Sequence, residues 1–243
     1  DQINLADAVF CVSKKLKEYH LKKDSSLQEE KITVVQGYAD NNKFFFNSEA
    51  RRAIREKLNI HNKLVCVYSG SLDKKWQIPE FVFEVISNLS ENFQNIFFIL
   101  LTPNKDLVKD YIVKYDLNSK DIFAEYIPFN IMNDYLSASD FSILLREDKP
   151  TNNVACPTKF SEYLLNGLPL IISNNIGDCS KIVEKNNFGI SVENNIDEII
   201  TGYKEKIIIN IENRKQIAEF AKINLSKQSI INNVINKYRE LTN

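Results

Sequence analysis

The sequence predicts an α/β protein built on a doubly wound parallel sheet of Rossmann-like type. Three observations carry this. Short, β-branched apolar runs recur along the 243 residues, helical patterns separate them one at a time, and the runs are apolar throughout rather than alternating. A strand buried on both faces reads as a continuous apolar run, the mark of a parallel sheet covered on both sides. Right-handed crossovers then wind such a sheet in both directions and place ligands beyond the carboxyl ends of its strands.

Taken in order, the strand candidates are VFCVS (9–13), ITVV (32–35), LVCVYS (64–69), IFFILL (96–101), IFAEY (122–126), FSILL (141–145), LIIS (170–173) and GISV (189–192). Helical patterns fall near 14–20, 48–59, 78–91, 105–115, 131–138, 158–166 and 179–186, and the tail reads as helix over 195–206 and 212–240. Pro79 suits the first turn of the 78–91 helix, where its missing N–H is harmless. Gly167 is the expected residue just past the 158–166 helix. No low-complexity linker or internal repeat interrupts the pattern.

Composition narrows the function. With 44% hydrophobic residues the chain can bury a sizeable core. The net charge is -1, with no stripe of Lys and Arg, which argues against binding nucleic acid by charge. Cys11, Cys66, Cys156 and Cys179 are widely spaced, with no C-x-x-C pair, so neither a zinc site nor a redox motif is expected. Cys11 and Cys66 lie in apolar runs and read as buried thiols in a reducing compartment. No apolar stretch reaches the roughly 20 residues that span a bilayer, and no signal-peptide pattern is present. The chain opens in mid-pattern at Asp1. Residues 1–31 are therefore expected to be the trailing strand and helix of a preceding domain, with 32–243 forming the main domain and the transition falling near 36–47.

The segments just after the strands are 69–76, 102–105, 126–131, 146–159 and 174–180. In SGSLDKKW (69–76), Gly70 admits close approach of a ligand to backbone, and Lys74 and Lys75 are placed to meet a phosphate. The alternative is an ordinary βα turn with solvated lysines. In REDKPTNNVACPTKFSE (146–162), Arg146 ends a strand and a helix begins near Thr158. The first amides of that helix are free donors, and its dipole favours an anion by about 0.3–1 kcal/mol. Lys159 in the first turn opposes that dipole, a conflict that a bound anion would resolve. Glu162 shares the face of Thr158 and Lys159, and a carboxylate there can accept two hydroxyls of a sugar. The alternative is a Lys159–Glu162 surface ion pair, worth under about 1 kcal/mol.

Weaker features read as structural. Asp178 and Ser180 suit the cap of the 179–186 helix, Asp140 a turn, His20 and His61 exposed positions. Trp76 is either a lid over a ligand or a packing aromatic.

These segments, in their order, resemble the C-terminal half of a GT-B glycosyltransferase of the retaining family 4 type, the glycosyl transferases group 1. The matching pieces are ADAVFCVS (6–13), ITVVQGYADNNKF (32–44), VYSGSLDKKW (67–76), FAEYIPFNIMNDYLSASDFSILL (123–145), CPTKFSEYLLNGLPLIIS (156–173), the Gly177–Asp178 pair and the final G-x-S-V strand. They cover nearly the whole chain, and PTK-x-x-EYL-x-x-G-x-P is the most specific.

The resemblance implies a nucleotide-sugar donor bound between two Rossmann-like domains, with the acceptor in the other half. It matches Glu162 to the second glutamate of an E-x7-E motif, which binds ribose hydroxyls. Gly70 and Ser71 match a Gly-Arg pair whose arginine reaches the diphosphate. Lys75, or Lys74, matches a phosphate-binding lysine. Tyr126, Ile127 and Pro128 would flank the base, and the amides near Thr158 and Lys159 would face the diphosphate or sugar.

Two departures stand out. Ser71 replaces the arginine, and Val154 stands where the first glutamate would fall. Arg146 and Lys159 form a variant pattern in which basic groups replace the missing contacts. The expected function is transfer of a sugar from a nucleotide-sugar to a glycan or lipid-linked acceptor in bacterial cell-surface polysaccharide synthesis, in the cytoplasm or at the inner face of the membrane. No metal or other cofactor is expected, since no Asp-x-Asp is present, and no membrane span. The acceptor site belongs to the other half, so the 243 residues alone are expected to transfer little sugar. The alternatives are a non-catalytic nucleotide-sugar binding module and, less favoured for want of acid/base groups, a sugar-nucleotide epimerase.

Overall fold

The computed structural model describes residues 2–74, 76–202 and 213–242. Eight strands form where the apolar runs predict them: β1 (Val9–Cys11), β2 (Ile32–Val34), β3 (Leu64–Ser69), β4 (Ile96–Leu101), β5 (Ile122–Glu125), β6 (Phe141–Leu144), β7 (Leu170–Ser173) and β8 (Gly189–Val192). The last six form one parallel sheet in the order β5-β4-β3-β6-β7-β8. β1 and β2 form a separate parallel pair, in register Val9 with Ile32. Strand 32–34 thus sits with the opening segment rather than with the large sheet.

The helices are α1 (Gln2–Leu5), α2 (Lys14–Lys23), α3 (Ser48–Lys57), α4 (Pro79–Asn92), α5 (Lys105–Lys114), α6 (Met132–Ala138), α7 (Pro150–Asn153), α8 (Thr158–Leu165), α9 (Cys179–Asn186), α10 (Ile196–Gly202), α11 (Arg214–Asn224) and α12 (Lys227–Thr242). The short α1 and α7 have no counterpart in the sequence reading. Of the predicted tail, 203–206 and 212 lie outside the described residues, as does Lys75. The run expected as helix over 212–240 is two helices where it is described, α11 and α12. Around Ser226 the chain pairs with Ala39, whose N–H donates to Leu225 O and whose carbonyl accepts from Lys227 N. Ser226 Oγ then accepts from Ser229 N at 3.2 Å, capping the next helix.

The sheet separates two cores, because alternate side chains of a strand point to opposite faces. Val65, Val67, Ile99, Leu144, Leu170 and Ile172 face α6, α8, α9 and α11. Cys66, Tyr68, Phe98, Leu100, Phe141, Ile143 and Ile171 face α4, α5 and α10.

Two polar ties fix the frame. Asp140 does more than shape a turn. Its buried carboxylate pairs with Arg51 and Arg55 and accepts from Val65 N at 2.8 Å, while both arginines also donate to the Ala138 carbonyl at the end of α6. Asp178 is the second tie. It makes no side-chain cap on its own helix, α9. It instead accepts from Lys14 N and Lys15 N at the start of α2, at 2.6 and 3.4 Å. Ser180 Oγ likewise turns back to Asn174 O rather than capping α9. Beside these, Ser13 caps α2 through Leu16 N and donates to Val154 O at 2.7 Å.

Candidate functional site

The order β5-β4-β3-β6-β7-β8 reverses direction between β3 and β6. In a doubly wound sheet the ligand crevice lies outside the carboxyl ends at that switch point. Here those ends carry Gly70–Ser71 after β3 and Arg146 after β6. Both were singled out from the sequence, and the topology makes them neighbours.

Gly70 has φ +153°, a value that L side chains rarely adopt. Its N–H donates to Leu101 O at 3.0 Å, so the chain leaves β3 while still tied to β4. Ser71 Oγ bonds Asp73 and Asn104, and Asn104 Oδ1 also accepts from Leu72 N. The hydroxyl is thus used within the turn. Lys74 is exposed, with its Nζ 3.8 Å from Asp73.

Arg146 is held by its backbone. Its N–H donates to Ser173 Oγ at 2.9 Å and its carbonyl accepts from Asn194 Nδ2. Among the described residues the guanidinium donates one hydrogen bond, to Asn152 Oδ1 at 3.4 Å, and its buried Nε has no hydrogen-bond partner. Among the described residues it joins no ion pair. Burial is the main influence on this cation and lowers its pKa below the usual arginine value. A buried donor without a partner carries an unmet desolvation cost of about 1–3 kcal/mol or more.

α8 supplies the other wall. Its N-cap is Pro157, which offers no side-chain cap, so the first amides of the helix carry none. Phe160, Tyr163 and Leu164 are fully buried against the sheet. Tyr163 Oη accepts from Ser69 N at 2.8 Å and pins α8 to the end of β3. On the other face Lys159 Nζ lies 2.8 Å from Glu162 Oε2 and 3.3 Å from Met132 Sδ. Glu162 is only 5% exposed, so this pair is a half-buried contact at the crevice rather than a solvated surface pair. Gly167 ends the helix as expected, at φ +68°, with its own N–H bonded to Leu164 O and Leu168 N to Tyr163 O.

The remaining predicted positions divide. Thr158 is exposed at the start of α8. Tyr126 is 66% exposed, whereas the Ile127 side chain is buried in the core, which leaves its backbone as the part a base can meet. Val154 contributes its carbonyl to Ser13, and its apolar side chain offers no hydrogen bond in the place where a glutamate was sought. Trp76 is half exposed, and its carbonyl accepts from Glu147 N and Asn152 Nδ2. His61 is exposed and His20 half-buried.

The sequence reading missed Asn152, Asn104 and Met132, which share these contacts. Asn152 is one of many asparagines in the chain and carries no local signal. It also missed that Cys156 and Cys179 meet, with Sγ atoms 3.6 Å apart. Their 23-residue separation hides this. Among the described residues no group of three or more His, Cys, Asp or Glu is placed to hold a metal ion.

The doubly wound parallel sheet with its switch-point crevice is a Rossmann-like architecture that GT-B glycosyltransferases share. A family model described as Glycosyl transferases group 1 matches residues 50–224, and the chain belongs to that family. Among curated proteins none matches. A glycosyltransferase from Rickettsia africae ESF-5 superposes with TM-score 0.76 at 19% identity, over 97% of this chain and 64% of that one. Anabaena Alr3699/HepE in complex with UDP-glucose gives TM-score 0.71 at 15% identity, over 98% and 66%. WaaG, a glycosyltransferase involved in lipopolysaccharide biosynthesis, gives 0.70 at 12%, over 91% and 61%. The chain thus spans less than two thirds of the length of these structures.

Proposed function

We propose that this chain binds the nucleotide-sugar donor of a retaining, family 4 type glycosyl transfer in the crevice outside β3 and β6. The observation that carries the reading is Arg146, a half-buried side chain whose buried Nε has no hydrogen-bond partner and which pairs with no carboxylate among the described residues, set at the switch point of the sheet. A diphosphate there takes hydrogen bonds from Arg146 and from the uncapped amides of α8. Lys159 swings from Glu162 to the phosphate, and the freed carboxylate accepts the ribose diol. Gly70 lets the diphosphate approach the backbone, with Lys74 beside it, and Tyr126 and the Ile127 backbone border the base. During transfer these positive groups stabilise the leaving diphosphate electrostatically. No metal or other cofactor takes part.

The acceptor is a glycan or lipid-linked sugar of the cell surface, and the reaction runs in the bacterial cytoplasm or at the inner face of its membrane. Relatives that the chain resembles support this: HepE was solved with UDP-glucose, and WaaG is involved in lipopolysaccharide biosynthesis. No helix among the described residues is long and apolar enough to cross a membrane. The acceptor site lies in another domain, with which the opening segment through β2 packs, and acceptor positioning is worth up to about 7–11 kcal/mol of the barrier. The isolated chain accordingly transfers little sugar.

Val154 and Ser71 favour a second reading, a module that binds the nucleotide-sugar without transferring it. Calorimetric titration of UDP, GDP and ADP into the wild type and Glu162→Ala tests both. Binding that the substitution weakens is expected, and failure of all three to bind removes both readings. Sugar transfer by the chain joined to its acceptor-binding domain separates them.

A further inference from the structure

We propose that Cys156 and Cys179 form a reversible oxidation site, closing into an intramolecular disulfide that shifts the start of α8 and weakens binding in the adjoining crevice. The Sγ atoms are 3.6 Å apart and both thiols are free. A disulfide needs about 2.05 Å, so each sulfur has less than about 1 Å to travel.

The two thiols differ in the way such a pair requires. Cys156 is half-buried and open to a small oxidant, while Cys179 is fully buried behind it. The hydrogen bond between them lowers the pKa of Cys156, and burial raises that of Cys179. Cys156 is thus the thiol that reacts first and Cys179 the one that resolves it. Cys11 and Cys66 are buried in two other clusters, away from both.

Position links the pair to the crevice. Cys156 directly precedes Pro157, the N-cap of α8, and Lys159 follows in the first turn. Cys179 opens α9 on the same side as the crevice loops. Drawing the sulfurs together therefore moves the segment that carries the α8 amides and Lys159.

With hydrogen peroxide as oxidant the step balances. The Cys156 thiolate attacks one peroxide oxygen, the O–O bond breaks, and sulfenic acid and hydroxide result. The hydroxide takes the proton that the thiol released and becomes water. The Cys179 sulfur then attacks the sulfenic sulfur, the S–S bond forms, and a second water leaves with the Cys179 proton. Two thiols are oxidised and one peroxide is reduced to two waters.

The test treats the native chain with limiting peroxide, blocks remaining thiols with N-ethylmaleimide and maps the digest without reductant. A Cys156–Cys179 linked peptide that dithiothreitol removes is expected, with Cys11 and Cys66 alkylated. Absence of that peptide, or equal oxidation of Cys11 and Cys66, overturns the site. In Cys179→Ser the same treatment leaves Cys156 as a sulfenic acid that dimedone captures.

The effect on binding rests on the nucleotide reading above. Whichever of UDP, GDP or ADP the reduced protein binds is expected to bind at least threefold more weakly after oxidation and to recover with dithiothreitol. An unchanged affinity overturns that effect. If the reduced protein binds none of them, the nucleotide reading fails alone. The linked peptide still decides the oxidation site, and amide exchange over 158–162, expected to slow at least twofold on oxidation, decides the shift in α8.

Discussion

The carboxylate of Asp178 lies 2.6 Å from the backbone nitrogen of Lys14, a contact between residues 164 positions apart. It is a helix cap supplied from another part of the chain, and Ser13, the local cap of the same helix, reaches back to Val154. The opening segment is therefore stitched to the loops beside the crevice.

Asp178→Ala is expected to lower stability by about 0.5–2 kcal/mol, the usual worth of a cap. The loss should concentrate in the opening segment. Hydrogen exchange at the Lys14 and Lys15 amides should accelerate while β3 amides keep their protection, and equal acceleration in both places would count against the tie.

The buried Asp140 carboxylate pairs through one oxygen with Arg51 and through the other with Arg55. Asp140→Ala leaves those two guanidiniums without their carboxylate. Removing one side of such a buried arrangement costs about 3–5 kcal/mol, read as a fall in the urea midpoint at unchanged slope. A loss below 1 kcal/mol would show that water replaces the carboxylate.

Arg146→Met removes the guanidinium, with its unpartnered Nε, while keeping much of its apolar stem. If it binds a diphosphate, affinity for a nucleoside diphosphate should fall roughly tenfold or more, given about 1.5–3 kcal/mol for a charge-assisted hydrogen bond. Binding of the matching nucleoside should change little. Parallel calorimetric titrations of the two ligands make the comparison, and equal losses on both would mean that Arg146 only supports the fold.

Burial, with Glu80 beside it, pushes the Tyr111 phenol up to about 12, and its hydroxyl donates to Glu80 at 3.1 Å. The folded value lies above the unfolded one of about 10. Its contribution to stability is therefore complete below pH 10 and is lost as pH rises through 12. Burial raises the Tyr68 and Tyr163 phenols as well, so ultraviolet titration should show several phenols ionising late, and Glu80→Gln should bring one of them earlier. Titration of every tyrosine near pH 10 would refute the assignment.

Much of the fold was legible in the sequence because its signals are local. Uninterrupted apolar runs such as IFFILL and FSILL mark strands buried on both faces, and Gly167 marks a helix end that only a positive φ completes. The crevice was legible in part. Gly70, Arg146, Lys159 and Glu162 follow strands or open a helix, and the strand order then sets Gly70 and Arg146 at one switch point. What local signals could not carry were partners chosen at a distance. Asp178 reads as the cap of α9 by its neighbours and serves α2. The 212–240 run reads as one helix and breaks at Ser226 because Ala39 pairs there.

By itself, then, the sequence determined which segments are strands and helices and which residues stand at strand ends, since periodicity and turn chemistry act over a few residues. Only the tertiary structure decided which of those ends meet. It seated Lys159 against a buried Glu162, left Arg146 with a guanidinium that no carboxylate among the described residues answers, and brought Cys156 to Cys179. These depend on how crossovers place distant segments side by side, and short-range patterns do not encode that placement.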